Sequence, residues 1–325
     1  MNTTYEAKAM KRINNIYDQF CSIDNLLLAD KIARKGKAKQ TGVIDFDQNF
    51  EQNVADIYRE LITKTYKTSE YTVRTINEGK ERIISILPYR DRVVQHAGMN
   101  ILESMFVACF TKDTYSCIKG KGIHAASREL KKALKDVPST TYCLKLDIKK
   151  FYPNVDHEIL KQLLRKKIKD QEMLQFLDGV IDSAPGLPIG NYFSQYFANF
   201  YLAYFDHWIK EQKQVKYYFR YADDIVILSR DKEYLHRALI GITKYLKERL
   251  RLDVRSNYQV FPVSARGIDF VGYVHFHTHT LLRKSIKQSF ARAIASKKGK
   301  LSIASYKGWA KHCNSRNLLT KLNLS

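Results

Sequence analysis

Apolar residues recur at helical spacing early in the chain: Met10, Ile13, Ile16, Tyr17 and Phe20, then Val54, Ile57, Tyr58 and Leu61. Residues 1–65 are therefore predicted to be helical, with the basic segment KIARKGKAKQTG between the helices as a loop that touches a partner. The pattern then changes period. YTVRTINEGKERIISILP alternates around Asn77-Glu78-Gly79 and predicts a β-hairpin. Tyr89 to Phe110 returns to helical spacing.

From Tyr142 the chain reads as β: YCLKLD, a tight aromatic turn, then an amphipathic helix from His157 to about Lys169 with Asp156 as its N-cap. GLPIG precedes a long aromatic helix expected from about Asn191 to Lys210. YYFRYADDIVILS is two β runs meeting at a carboxylate pair. A helix over Glu233 to Leu250 and short strands to about Leu282 follow. Ser285 to Leu324 is helical in spacing, with an interruption near Lys298-Gly299.

Composition narrows the classes. At 325 residues and 45% hydrophobic content the chain has the makings of one large or several small cores, not of a disordered protein. No stretch reaches the roughly 18 apolar residues of a membrane helix, and the N-terminus lacks the apolar run of a signal peptide. No membrane association and a cytoplasmic location are expected. The five cysteines are spread out with no C-x-x-C pair, so neither a disulfide framework nor a zinc finger is indicated. The charge is +22, and Leu281 to Ser325 holds many Lys and Arg and no acid. A field of that sign attracts polyanions, nucleic acid foremost.

The candidate chemistry lies in the carboxylates. Asp223 and Asp224 sit between apolar β runs, where charge is costly unless paired or metal-bound. A bare Asp-Asp is an ordinary turn signal, yet β-formers flank this one on both sides. Asp147 ends the strand YCLKLD and is placed to complete a three-carboxylate cluster. Such a cluster repels itself unless cations neutralise it, and hard oxygen ligands suit Mg²⁺. Two such ions would clamp the attacking hydroxyl and the leaving pyrophosphate of a nucleotidyl transfer.

The ordered series LKLDIKKFYPNVDH, GLPIGNYFSQYFANFYL, FRYADDIVILS and FVGY resembles the motif series of reverse transcriptases, from Tyr71 to Lys287. The resemblance implies an α+β right-hand polymerase fold: an N-terminal helical extension (1–65), fingers (66–140), a palm with an antiparallel sheet (141–282, with part of the fingers interleaved) and a short, helical, basic thumb (283–325). It implies an RNA-directed DNA polymerase with two Mg²⁺ ions, or Mn²⁺ in their place, held by Asp147, Asp223, Asp224 and the Ile148 carbonyl. Tyr152, five residues past Asp147, matches the aromatic gate that excludes a ribose 2′-hydroxyl, with Phe151 as the neighbouring alternative. Lys80 and Arg82 match the basic pair that grips the incoming dNTP, and Ile189, Gly190, Ser194 and Gln195 fall in the nucleotide-binding segment. Arg92, Arg255, Gly272, Tyr273, Arg283, Lys284 and Lys287 fall at template and primer positions.

One segment departs from the usual family pattern Q-G-x-x-x-S-P: Ile189-Gly190 and Ser194-Gln195 stand there. Ile for Gln and Gln for Pro resemble the diversity-generating retroelement enzymes, which copy a template-repeat RNA with errors at adenine. That resemblance implies RNA template, primer and cDNA as partners, together with a small basic oligomeric accessory variability determinant protein. A phage-defence, retron-type or group II intron-like reverse transcriptase, or a non-catalytic RNA-binding scaffold, are the alternatives. Arg255 stands where a Lys often serves as acid for pyrophosphate, and arginine donates protons poorly near neutral pH. His275, His277 and His279 alternate on a presumed strand at a spacing that suits a metal, though primer contact by that strand is the preferred reading.

Overall fold

The computed structural model describes residues 12–77, 81–296 and 299–324. The chain forms two compact units, one built from Met1–Phe110 and Lys150–Ala203, the other from Thr111–Lys149 and Tyr204–Ser325. Each unit is assembled from two separated stretches of the chain.

The first unit is mainly helical. α1 (Tyr17–Cys21), α2 (Ile23–Ala33), α3 (Thr41–Gln48) and α4 (Phe50–Ile62) supply the N-terminal helices, followed by an antiparallel hairpin of β1 (Thr72–Asn77) and β2 (Glu81–Ile86). The hairpin turn, with Glu78, Gly79 and Lys80, lies outside the described residues. α5 (Tyr89–Cys109) begins after Pro88. Oδ1 of its buried Asp91 accepts from the Tyr66 hydroxyl (2.7 Å) and the Ser69 amide (3.0 Å). The expected basic loop is shorter than its sequence: α2 extends through Ala33, and Arg34 is ion-paired with Asp30 and Asp47.

The second unit opens with α6 (Ile123–Ala133) and then β3 (Tyr142–Asp147). Back in the first unit, α7 (His157–Arg165) starts at Asp156, whose carboxylate accepts the Ile159 amide at 3.0 Å. It ends short of Lys169 because Ile168 leaves the helix to bridge Ile13 in parallel. Asp170 then caps α8 (Gln171–Ile181) and also accepts the amides of Ile16 and Tyr17. Asn191 caps α9 (Tyr192–Tyr201), which packs on α5 through Phe106, Phe197 and Phe200. The long aromatic helix is broken: α10 (Ala203–His207) follows, then a π-helical turn, Trp208–Gln212. Aromatic spacing continues across the break, which is why the sequence reads as one helix.

In the second unit β3 is the third strand of a sheet ordered β4-β5-β3-β6. Its other strands are β4 (Tyr217–Tyr221), β5 (Asp224–Ser229) and β6 (Gln259–Pro262). All three pairings are antiparallel. α11 (Lys232–Leu250) is capped by Asp231 and packs on the sheet through Leu235, Leu239 and Ile242. The short α12 (Val263–Arg266) leads to a three-stranded sheet of β7 (Ile268–Phe270), β8 (Tyr273–His275) and β9 (Thr280–Leu282). α13 (Lys284–Ala295), α14 (Lys300–Ala310) and α15 (Arg316–Lys321) end the chain. α6, Phe219 and Val226 of the four-stranded sheet, Phe270 and Tyr273 share one buried cluster. No helix among the described residues is long and apolar enough to cross a membrane.

Candidate active site

Register brings the carboxylates together. Antiparallel pairing sets Asp147 of β3 opposite Asp224 of β5, and Tyr221 opposite Asp224 closes a two-residue loop of Ala222 and Asp223. Directly opposed residues share a face, so alternation puts Lys145, Asp147 and Asp224 on one side of the sheet. Ala222 sits at φ +53°, the left-handed conformation a tight hairpin requires at its first loop residue and one that costs a non-glycine residue energy.

Electrostatics confirm the crowding. Burial first, then the charge of Asp147, pushes the Asp223 carboxyl up to about 6, with Arg255 acting against the rise. Asp224 is also raised, by burial first, although Lys145 opposes the shift by bonding both of its oxygens at 2.8 and 3.0 Å. Arg255 donates its backbone amide to the Asp147 carbonyl (2.8 Å) and holds its guanidinium 3.7 Å from the Asp147 carboxylate. The Ile148 amide donates to the Asp223 carbonyl at 3.3 Å, tying the strand end to the loop.

Beneath the loop lies a feature that the sequence reading missed. Arg220 and Asp206 form an ion pair with both side chains fully buried. The Arg220 Nε is 2.8 Å from Asp206 Oδ1, and Nη1 donates to the Ala222 carbonyl at 3.1 Å. Tyr218 and Thr114 donate to the same carboxylate (2.5 and 3.0 Å), and the Ala222 amide donates to Ser116 Oγ (3.1 Å). Both backbone groups of Ala222 are thus anchored, which over-determines the strained loop carrying Asp223. The signal available was Arg220 inside an apolar β run, where an unpaired charge is forbidden.

The remaining expected residues divide. In the first unit Phe151 is buried and Tyr152 half-buried. The Ile189 carbonyl accepts the Ser85 amide at 2.7 Å, and Gly190 adopts φ +113° where a Cβ would meet the Ser85 carbonyl oxygen at 2.5 Å. Only glycine fits both demands. Ser194 is buried and Gln195 exposed on α9; Arg92 is half-buried on α5, and Arg82 is exposed on β2. In the second unit Gly272, at φ +87°, lies so close to Trp309 that no Cβ fits, and its carbonyl accepts the Arg283 amide. Tyr273 is wholly buried, its hydroxyl between His124 and the Trp309 carbonyl, so its ring is not open to a primer. Arg283 is ion-paired with Asp269 at 2.6 Å, Lys284 is exposed and Lys287 half-buried.

The alternating histidines do not share a strand face. β8 ends at His275, which is buried; His277 bonds Thr140, and His279 stacks on Phe276. Among the described residues no three His, Cys, Asp or Glu side chains are grouped to hold a metal, here or at the carboxylates. Asp147 and Asp223 nevertheless fit a divalent cation by chemistry. They are hard oxygen donors whose charges repel, and a cation would relieve the rise of Asp223.

A four-stranded antiparallel sheet bearing carboxylates on a central strand end and an adjacent hairpin defines a polymerase palm. The chain matches the family "Reverse transcriptase (RNA-dependent DNA polymerase)" over residues 66–275 and belongs to it. Protein YkfC of Escherichia coli is 23% identical over 268 residues, 68% of each chain. The group II intron-encoded protein LtrA of Lactococcus lactis is 25% identical over 192 residues, 54% of this chain and 32% of LtrA. The chain thus spans about a third of LtrA's length. The telomerase of Candida tropicalis, solved with a fragment of telomeric RNA, superposes with a TM-score of 0.50 at 13% identity, covering 76% of this chain and 53% of that one. The shared fold is that of the reverse transcriptase polymerases, α+β with antiparallel sheets.

Proposed function

We propose that this chain is an RNA-directed DNA polymerase that makes adenine-mutagenic cDNA from a template-repeat RNA in a diversity-generating retroelement. The observation that carries the polymerase reading is the pairing of Asp147 with Asp224 beside the Asp223 loop. Asp147 and Asp223, with Asp224 and the Ile148 carbonyl, would hold Mg²⁺, or Mn²⁺ in its place. Such ions supply activation of the primer 3′-hydroxyl and charge neutralisation on the leaving pyrophosphate.

The chain's own groups orient that centre. Lys145 holds Asp224 in one rotamer by a two-oxygen contact, and Arg255 offsets the charge of Asp147. Arg255 acts here as a fixed positive charge, since arginine stays protonated and proton transfer to pyrophosphate needs another donor. Tyr152 would exclude the ribose 2′-hydroxyl, and Lys80 and Arg82 would bind the dNTP triphosphate. Arg92, Gly272, Tyr273 (through its backbone), Arg283, Lys284 and Lys287 would follow template and primer by phosphate contacts that do not read sequence. A small basic oligomeric accessory protein would complete the assembly, in the cytoplasm.

The subgroup reading rests on Ile189 in place of Gln and Gln195 in place of Pro. An aliphatic Ile189 offers no hydrogen bond, so checking of the incoming base relaxes. A group II intron-like activity is the second reading, favoured by the similarity to LtrA. Primer extension on a defined RNA with dNTPs and Mg²⁺, followed by sequencing, separates them. Mg²⁺-dependent cDNA that is lost in Asp223→Ala and misread mainly opposite adenine supports the proposal, and Ile189→Gln then raises fidelity there. Faithful cDNA moves the assignment to the intron-like reading, and no cDNA under any condition removes the polymerase reading.

A further inference from the structure

Away from the carboxylates, α6 presents Arg128, Lys131 and Lys132 at the i, i+3, i+4 spacing of one helix face. Its opposite face, Ala126, Leu130 and Ala133, is buried in the second unit's core. A cavity of about 360 Å³ lies beside this basic face, lined by His124, Ser127, Arg128, Lys131, Lys311 and His312 among others, with no carboxylate in its wall.

Three observations bear on what this cavity can hold. First, the Ser127 hydroxyl is buried in a residue 1% exposed and has no hydrogen-bond partner, a costly state for a polar group unless a ligand uses it. Second, the half-buried Lys131 ammonium donates to the His312 carbonyl and forms no ion pair with an acid, so its positive charge is not cancelled. Burial pushes Lys131 down from the ordinary lysine range. Third, His124 and His312 stack with ring centroids 3.8 Å apart. Burial, then His312 and Arg128, lower His124, as expected where cationic groups crowd without a counter-charge.

The basic face does not stop at this cavity. Arg128 also lines a second one of about 550 Å³ on the other side of α6, with Lys112, Lys121 and Lys132. Lys121 donates to the carbonyls of Lys112 and Thr114 and lies 5.5 Å from the Tyr115 ring centroid. Asp113 and Glu129 are the acids of this wall, and they are engaged by Lys210 and Lys132. A run of cations through two cavities suits a chain of phosphates better than a single free one.

We propose that α6 and the segment Lys311–His312 form a second nucleic-acid site, a phosphate-backbone track for a structured RNA, with Ser127, Lys131 and His312 seating one phosphate. It deepens the RNA-directed reading above and is separate from the carboxylates. Tyr142 and Asp147 lie at opposite ends of β3, so about 17 Å of strand divides the α6-covered end from the polymerase end. The partner is identified by charge and by the exposed His312 ring, stacked on His124, which offers a platform to an unpaired base.

The test uses the full chain with Arg128→Glu and Lys311→Glu together, both exposed positions, and Ser127→Asp as a second variant that places a carboxylate where the phosphate would sit. Binding to a long structured RNA and to a short primer–template duplex is measured across a salt series, beside melting curves. For the double variant the expected result is about tenfold weaker binding of the long RNA and a salt slope lower by about 2, close to two phosphate contacts. Extension of the short duplex at saturating concentration stays as in wild type. Unchanged RNA affinity and slope in both variants overturn the proposal. So does an equal loss of short-duplex extension, which assigns the face to the polymerase cleft. Vesicles of anionic lipid form the third arm: binding to them that depends on Arg128 and Lys311, with RNA binding unaffected, also overturns it. Asp223→Ala keeps RNA binding in every case, and a wild type that makes no cDNA while its RNA binding depends on this face removes the polymerase reading alone.

Discussion

Replacing Arg220 with Met tests how the catalytic loop is held. The substitution keeps length and apolar bulk but removes the charge from a site with no exposure, leaving the Asp206 carboxylate buried against the Tyr218 and Thr114 hydroxyls. Breaking a buried pair from one side costs about 3–5 kcal/mol, and two surviving donors place this case near the lower end, about 3 kcal/mol. The same change frees the Ala222 carbonyl, whose bond to Nη1 spans 3.1 Å. One such bond to a charged donor contributes about 1.5 kcal/mol, so a loop that moves when it is lost reduces kcat about tenfold. The two effects separate in Arg220→Met/Asp206→Leu. Removing both charges recovers part of the stability, with a coupling of about 2 kcal/mol, because no lone carboxylate remains. The Ala222 carbonyl stays free, so kcat stays low while KM for dNTP changes little. Urea unfolding gives the stabilities, and single-turnover primer extension well below the melting temperature gives the rates. If the double variant regains wild-type kcat along with its stability, or if Arg220→Met extends primers at the wild-type rate, the pair is structural only and the positioning argument fails.

Other residues give sharper single outcomes. Gly190→Ala forces a Cβ to 2.5 Å from the Ser85 carbonyl at φ +113°, so the urea midpoint should fall by the equivalent of about 1–3 kcal/mol; an unchanged midpoint would mean that β2 shifts at no cost. Tyr152→Val should raise ribonucleotide incorporation with little change in melting, whereas Phe151→Ala should cost about 3–5 kcal/mol because that ring is buried; the reverse pattern in nucleotide competition and melting assays would exchange the two roles. His275 is held down to about 3, by burial first and then by Lys131, against 6.5 when free. The unfolded chain therefore takes the proton first: this contribution is complete above pH 6.5 and falls by about 1.4 kcal/mol per pH unit below it, levelling off under the folded value. His275→Asn should remove about one proton from the slope of stability between about pH 6 and pH 4, and identical slopes would refute the burial argument.

Much of this protein is legible without its structure because its signals are local. The β-forming runs YCLKLD, YYFRY and DIVILS specify strands, and the strand ends place the carboxylates at their tips. The Asp156 cap acts over three residues and is read correctly for the same reason. The helix expected from Asn191 to Lys210 is misread because periodicity says which side is apolar but not where the backbone bends. What pairs at long range had to come from tertiary structure. Lys145 and Asp224 lie 79 positions apart, and nothing near either names the other. Arg220 and Asp206 become a pair only because β4 and α10 pack together around them. The three histidines alternate in sequence yet separate because β8 ends after the first of them. The same holds for the cavity beside α6: a basic helix and a basic tail are visible as charge, but the unpartnered Ser127 hydroxyl in its wall exists only once packing has assembled that wall. Residue type and spacing decide which groups carry charge and which face is apolar; long-range packing decides which charges are cancelled, and the ones left over mark where a ligand fits.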